Sequence, residues 1–174
     1  IANHQRNEKL DSLLKENFKL EKSVLSIIND QIIFTHDVIN KSAVDFTKVK
    51  STEIRFLKMQ NGISNAIDLA NLQNTTIPTL LKNRLENGYH PKLSGDIQII
   101  SNAGWYNSTS PTGIGHGGWY NYDSRIPLVF MGWKVKPGKT NQTYYMTDIA
   151  STLAAMLHIQ VPNGNIGSPI TQLT

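Results

Sequence analysis

The sequence predicts a layered α/β fold. Three observations carry this. Segments with helical spacing of apolar residues alternate with short β-rich runs along the chain. Residues 126–131 form a nearly continuous apolar run, the pattern of a strand covered on both faces. Hydrophobic residues make up 39% of 174, enough for one domain with a real core and too little for two full ones.

Residues 5–17 predict an amphipathic helix, with Leu10, Leu13, Leu14 and Phe18 on one face. Runs 23–28 and 31–36 flank Asn29-Asp30, residues that tolerate the positive φ of a two-residue hairpin turn. Residues 45–60 predict a helix through Phe46, Val49, Phe56 and Leu57, with Gly62 as its stop. Residues 63–69 alternate like a half-buried strand. Pro78 opens a further helix, with Leu80, Leu81 and Leu85 inward and Asn87-Gly88 at its end. A short strand follows at 96–101, then a long loop to about residue 124. Thr147 is placed to cap a last helix whose apolar face is Ile149, Leu153, Met156 and Leu157. Residues 1–87 are expected to form a helix and hairpin segment, and 88–174 a second segment carrying the loop.

Composition removes several function classes. The net charge is only +4, and Lys and Arg nowhere run four together, so a phosphate-tracking nucleic-acid clamp is not expected. The chain has no cysteine, which excludes thiol catalysis, disulfides and Cys-rich zinc knuckles. No apolar stretch approaches the roughly 18 residues of a membrane span. The sequence starts Ile-Ala-Asn-His without a Met, so a trimmed fragment is expected.

The informative segment is the loop at 112–123. His116 sits among Gly113, Gly115, Gly117 and Gly118, which strip side-chain bulk from around the imidazole. Loops of this length inside a compact domain are usually functional. One imidazole cannot hold zinc, which takes three or four protein ligands. The remaining histidines (His4, His36, His90 and His158) show no paired ligand spacing. From the residues alone, a surface role and a ligand role for His116 both stay open.

Four consecutive motifs carry a resemblance. His90-Pro91-Lys92-Leu93-Ser94-Gly95-Asp96 resembles an "HPxxSGD" strand entry. His116-Gly117 with Tyr120-Asn121-Tyr122-Asp123 resembles an "HGxxYxYD" loop. Ile126-Pro127-Leu128 through Gly132 is similar to a "VPLxxxG" strand, and Thr147 through Ala154 to a "TDIAPTLA" helix. In this order they resemble the phosphate-irrepressible alkaline phosphatases and the related type I phosphodiesterase/nucleotide pyrophosphatase group, within the alkaline phosphatase superfamily. The likeness covers roughly residues 88–170, about half the chain.

That resemblance implies the C-terminal portion of an alkaline-phosphatase-like layered sheet with flanking helices. It implies a bacterial, periplasmic or secreted hydrolase of phosphate esters that uses two Zn2+ ions and a Thr or Ser nucleophile. The two metals would activate the nucleophiles and clamp the attacking and leaving oxygens. His116 matches the last metal ligand in chain order. The nucleophile and the other ligands would lie upstream, in a missing N-terminal part that acts as this chain's partner. His36-Asp37 reverses the family's Asp-His order and is not that site. Asp123 is a candidate for supporting the metal-bound histidine, or else a cap at a strand entry. Trp119 and Tyr122 are candidates to line the pocket, or to pack the loop onto the domain. Gly118-Trp119 departs from the family's "SP", and Ser151 from its proline. By itself the chain is expected to bind zinc poorly and to turn over nothing. A phosphodiesterase, a sulfatase-like hydrolase and a non-enzymatic excised domain are the alternative readings.

Overall fold

The structure is a computed structural model and describes residues 3–105, 113, 115–132 and 135–173. It separates into two compact units, Ile1–Arg125 and Ile126–Thr174.

The first unit begins with helix α1, Asn3–Phe18. Leu10 and Leu14, one turn apart, are fully buried, and Phe18 packs at the margin of the same core. Strands β1 (Val24–Ile28) and β2 (Gln31–Phe34) form the expected hairpin. Asn29 and Asp30 both take positive φ, 51° and 58°, so the turn twists with the strands rather than splaying them. The second strand is shorter than its β-rich run suggested. After Phe34 the chain leaves the sheet into a short helix α2, His36–Lys41. Asp96 marks this exit, accepting from the Phe34 N–H at 2.9 Å.

Helix α3, Phe46–Lys58, starts where Asp45 accepts from the Thr47 N–H at 2.8 Å. Its buried positions, Val49, Glu53 and Leu57, recur every four residues. Strand β3 (Ile63–Asp68) follows, then a 3-10 segment Leu69–Asn74 that the pattern did not announce. Helix α4 is Thr79–Gly88, with Pro78 immediately ahead of it. Leu81 and Leu85 face inward, but Leu80, assigned to the same face, is exposed.

Strand β4 (Ile97–Ser101) closes the unit by entering the middle of the sheet, whose order is β1-β2-β4-β3 and whose pairs are all antiparallel. Ile97, Gln98, Ile99 and Ile100 are therefore all buried. Gln98 is tolerated there because its amide donates to carbonyls of Asn29, Asp30 and Ile99. Gly95, just before the strand, lies so close to β2 that a Cβ would meet Gln31 and the Ile32 carbonyl. The main core gathers Leu10, Leu14, Ile32, Phe34, Val49, Leu57 and Ile99. A smaller core gathers Ile67, Leu69, Leu72, Leu85 and Ile100.

The second unit corrects two expectations. Residues 126–131 form no strand, and their side chains are largely in solvent, Val129 at 81% and Met131 at 93%. A strand persists only when neighbours take its N–H and C=O groups, and no described residue pairs with this run. The doubly covered strand of this chain is β4 instead.

The last helix, α6 (Asp148–Leu157), is present but turned over. Its buried residues are Asp148, Ser151, Thr152 and Ala154, while Leu153 and Leu157 of the apolar face are exposed. The tail explains the inversion. Ser151 donates to the Gly167 carbonyl, Ile170 N–H to Thr152 Oγ1, and Ser168 N–H to Asp148 Oδ1. Thr147 makes no capping bond; Asp148 Oδ2 takes the Tyr145 N–H at 2.8 Å instead. His158 is exposed and ends the helix in the left-handed conformation, at φ 54°.

Candidate metal-ligand loop

The base of the His116 loop is bolted to the first unit from both sides. Tyr120 donates its hydroxyl to the Ser101 carbonyl at 3.0 Å, at the end of β4. The Gly104 N–H donates to the Tyr122 hydroxyl at 2.7 Å. The two tyrosine rings stack, with centroids 5.7 Å apart and planes 3° from parallel. From α4, Arg84 donates to the Trp119 carbonyl (3.2 Å) and to Ser124 Oγ (3.3 Å). The Trp119 ring packs on the smaller core. A single helical turn, α5 (Asn121–Ser124), follows, with the Asp123 and Ser124 N–H groups donating to the Tyr120 carbonyl.

Among the described residues, the loop's outer end is held by a polar clasp: the Gly118 N–H donates to Asp123 Oδ2. Gly117 sits at φ +94°, where a side chain would be strained. His116 comes just before this hinge, and 115–118 are exposed. The imidazole is thus carried on a bare arm whose root is anchored by three aromatic side chains and an arginine. Asp123 acts on the backbone two residues beyond His116. Trp119 packs the loop down. Tyr122 is 67% exposed, with its hydroxyl engaged by Gly104.

One of these anchors was not read from the sequence. Arg84 looks like an ordinary charge on the outer face of an amphipathic helix, and only its reach across to 119 and 124 gives it a role. Tyr120, like Trp119 and Tyr122, is a loop aromatic expected either to line the pocket or to pack the loop, and its hydroxyl is bonded to Ser101. His90 is a turn residue: its Nδ1 accepts from the Lys92 N–H, and its own N–H donates to Ser94 Oγ. His36 lies 3.0 Å from Asp96 Oδ1, on the sheet exit rather than at the loop.

A zinc ion needs three or four donors. Among the described residues no group of three His, Cys, Asp or Glu side chains converges. The described residues on their own therefore bring no set of zinc donors together. What they present is a single exposed nitrogen donor on an anchored arm.

No protein-family model matches the chain. It is 50% identical over 164 residues to the alkaline phosphatase PhoV of Synechococcus elongatus, which covers 94% of this chain. It is 37% identical to the alkaline phosphatase PafA of Elizabethkingia meningoseptica, over 95% of this chain. It is 41% identical to a Myroides odoratus protein named a calcium-transporting ATPase. The crystal structure of PafA matches with a TM-score of 0.93 and covers 97% of this chain. The chain spans about 30% of the length of the curated relatives it matches, and 32% of the PafA structure.

In sequence and in fold this chain is similar to about a third of an alkaline phosphatase. The layered arrangement of helices on a sheet agrees with the expected fold; the sheet is wholly antiparallel. Among the described residues no helix is long and apolar enough to cross a membrane.

Proposed function

We propose that this chain is the C-terminal portion of a zinc-dependent phosphomonoesterase and that it contributes His116 as one metal ligand. The observation that carries this reading is the loop itself. It is a glycine-framed, exposed imidazole, rooted by Tyr120, Tyr122, Trp119 and Arg84, in a chain half identical to an alkaline phosphatase. Anchoring of this kind is useful when a donor must meet groups brought by another part of the protein. When bound, zinc would supply charge stabilisation and an activated oxygen nucleophile. This chain's share is to hold one nitrogen ready. The nucleophile and remaining ligands belong to the rest of the parent enzyme, which is the partner of this segment. The exposed run 126–131 supports such a partner, since it carries the pattern of a covered strand without a neighbour among the described residues. A periplasmic or secreted location follows from the same reading.

The test uses the full-length parent with His116→Ala. Loss of a ligand should cost more than the roughly 10–100-fold typical of changes to residues that merely support ligands. Bound zinc and turnover of p-nitrophenyl phosphate should fall together, with the circular dichroism spectrum unchanged. Unaltered zinc content and turnover would remove His116 from the metal site.

A further inference from the structure

Glu53 is a fully buried ionisable side chain that no part of the phosphatase reading uses. It projects from the inward face of α3 between Val49 and Leu57, with no exposed surface. Neither carboxyl oxygen has a hydrogen-bond partner. Burying a carboxylate without donors is strongly unfavourable, so the group must keep its proton or disrupt its surroundings.

The surroundings make the charged form still worse. Helix α1 packs on α3, and its Asp11 carboxylate acts on Glu53 with like charge. Asp11 is held in place, because Oδ1 accepts three hydrogen bonds, from the Ser23 N–H, the Ser23 hydroxyl and the Val24 N–H. One turn earlier on α1, Asn7 Oδ1 is also buried without a donor. Among the described residues no cation hydrogen-bonds to Glu53. Arg6 of α1 lies 4.0 Å from Asp30, with its Nη1 buried and without a hydrogen-bond partner. Lys50 of α3 binds Asp68 of β3 at 2.7 Å. Strand β4, which also packs on α3, carries no charge. A cavity of about 300 Å3 lies at the end of the same two helices, lined by Arg6, Lys9, Phe56, Leu57 and Trp105 among others but not by Glu53.

We propose that Glu53 is a proton-held latch between α1 and α3: protonated, it lets α1 close on the core, and on losing its proton it drives α1 away from α3. The device would free the first helix in alkaline medium. It does not depend on the chain's being part of a phosphatase.

The sign follows from linkage. Burial, reinforced by Asp11, raises the Glu53 carboxyl from 4.5 to about 8 with α1 closed. With α1 lifted and the group in water it returns to the ordinary carboxylate range. Between those values opening releases a proton, so the latch is fully held below the lower value and lost as pH rises through the upper one. Hydrogen exchange of the α1 amides, corrected for intrinsic rates, should show an opening constant that grows about tenfold per pH unit in this window and then levels off. In Glu53→Gln the constant should be flat. A pH-independent wild type, or an equal slope in Glu53→Gln, would overturn the proposal. A Gln variant that does not fold leaves the wild-type test intact. The Glu53 carboxyl carbon, followed by NMR in the 174-residue chain, should titrate near the upper value. A titration in the ordinary carboxylate range would equally reject the latch.

Discussion

The Asp123 carboxylate holds the Gly118 backbone N–H, and this clasp fixes the far end of the arm that carries His116. In an exposed loop such a bond contributes only about 1 kcal/mol to stability. Its greater consequence is positional, since the glycines on either side of His116 offer no packing of their own.

Asp123→Ala should therefore separate stability from function. The melting temperature of the chain should hardly move. In the full-length parent, zinc retention and phosphate-ester turnover should fall by about 10–100-fold, as for other residues that orient a ligand. Asp123→Asn keeps an oxygen acceptor for the Gly118 N–H and should recover most of the loss. Equal damage from Ala and Asn would mean that the charge, not the clasp, matters.

Two neighbouring glycines should answer differently to the same methyl group. A Cβ on Gly118 would press on the Asp123 carboxylate, whereas one on Gly117 meets nothing within 4 Å. Gly118→Ala should thus mimic Asp123→Ala in zinc retention. Gly117→Ala should cost about 1 kcal/mol of backbone strain from its φ of +94°. In that variant, loop mobility read by amide relaxation should change more than the zinc content.

Much of the first unit was legible because its determinants are local. Asn29-Asp30 dictates a turn whose twist only the hairpin satisfies, and the spacing of Phe46, Val49 and Leu57 marks α3. The second unit was not, for a reason visible in α6. Helical spacing of Ile149, Leu153, Met156 and Leu157 says that a face wants cover, not what covers it. In the structure the tail takes the opposite face through Ser151, Thr152 and Asp148, and two of the four apolar residues are left exposed. The same holds for residues 126–131, whose pattern asks for neighbours that the described residues do not supply. For His116 the motif pointed to the loop, but Arg84 could be found only in three dimensions, because a contact 35 residues away leaves no periodic trace.

The start of α6 gives a sharper discrimination, because sequence and structure name adjacent residues. Ser/Thr at the first position of a helix normally supplies a side-chain acceptor for free N–H groups. Thr147 does not, lying at φ −64°, ψ −23°, already inside the helical region, with its hydroxyl uninvolved as a cap. Asp148 does the tying instead, one oxygen accepting from the Tyr145 N–H and the other from the Ser168 N–H in the tail. Hydrogen bonds to a charged acceptor are worth about 1.5–3 kcal/mol each. Asp148→Ala should accordingly destabilise the second unit by about 2–4 kcal/mol once partial rescue by water is allowed for. Exchange of the Ser168 and Ile170 amides should accelerate with it, since Thr152, the acceptor for Ile170, sits one turn further along the same helix. Thr147→Ala should cost less than about 0.5 kcal/mol, as for an uninvolved surface position. The reverse ranking, measured by urea denaturation of both variants, would return the capping role to Thr147 and undo the account of why α6 presents its polar face to the tail.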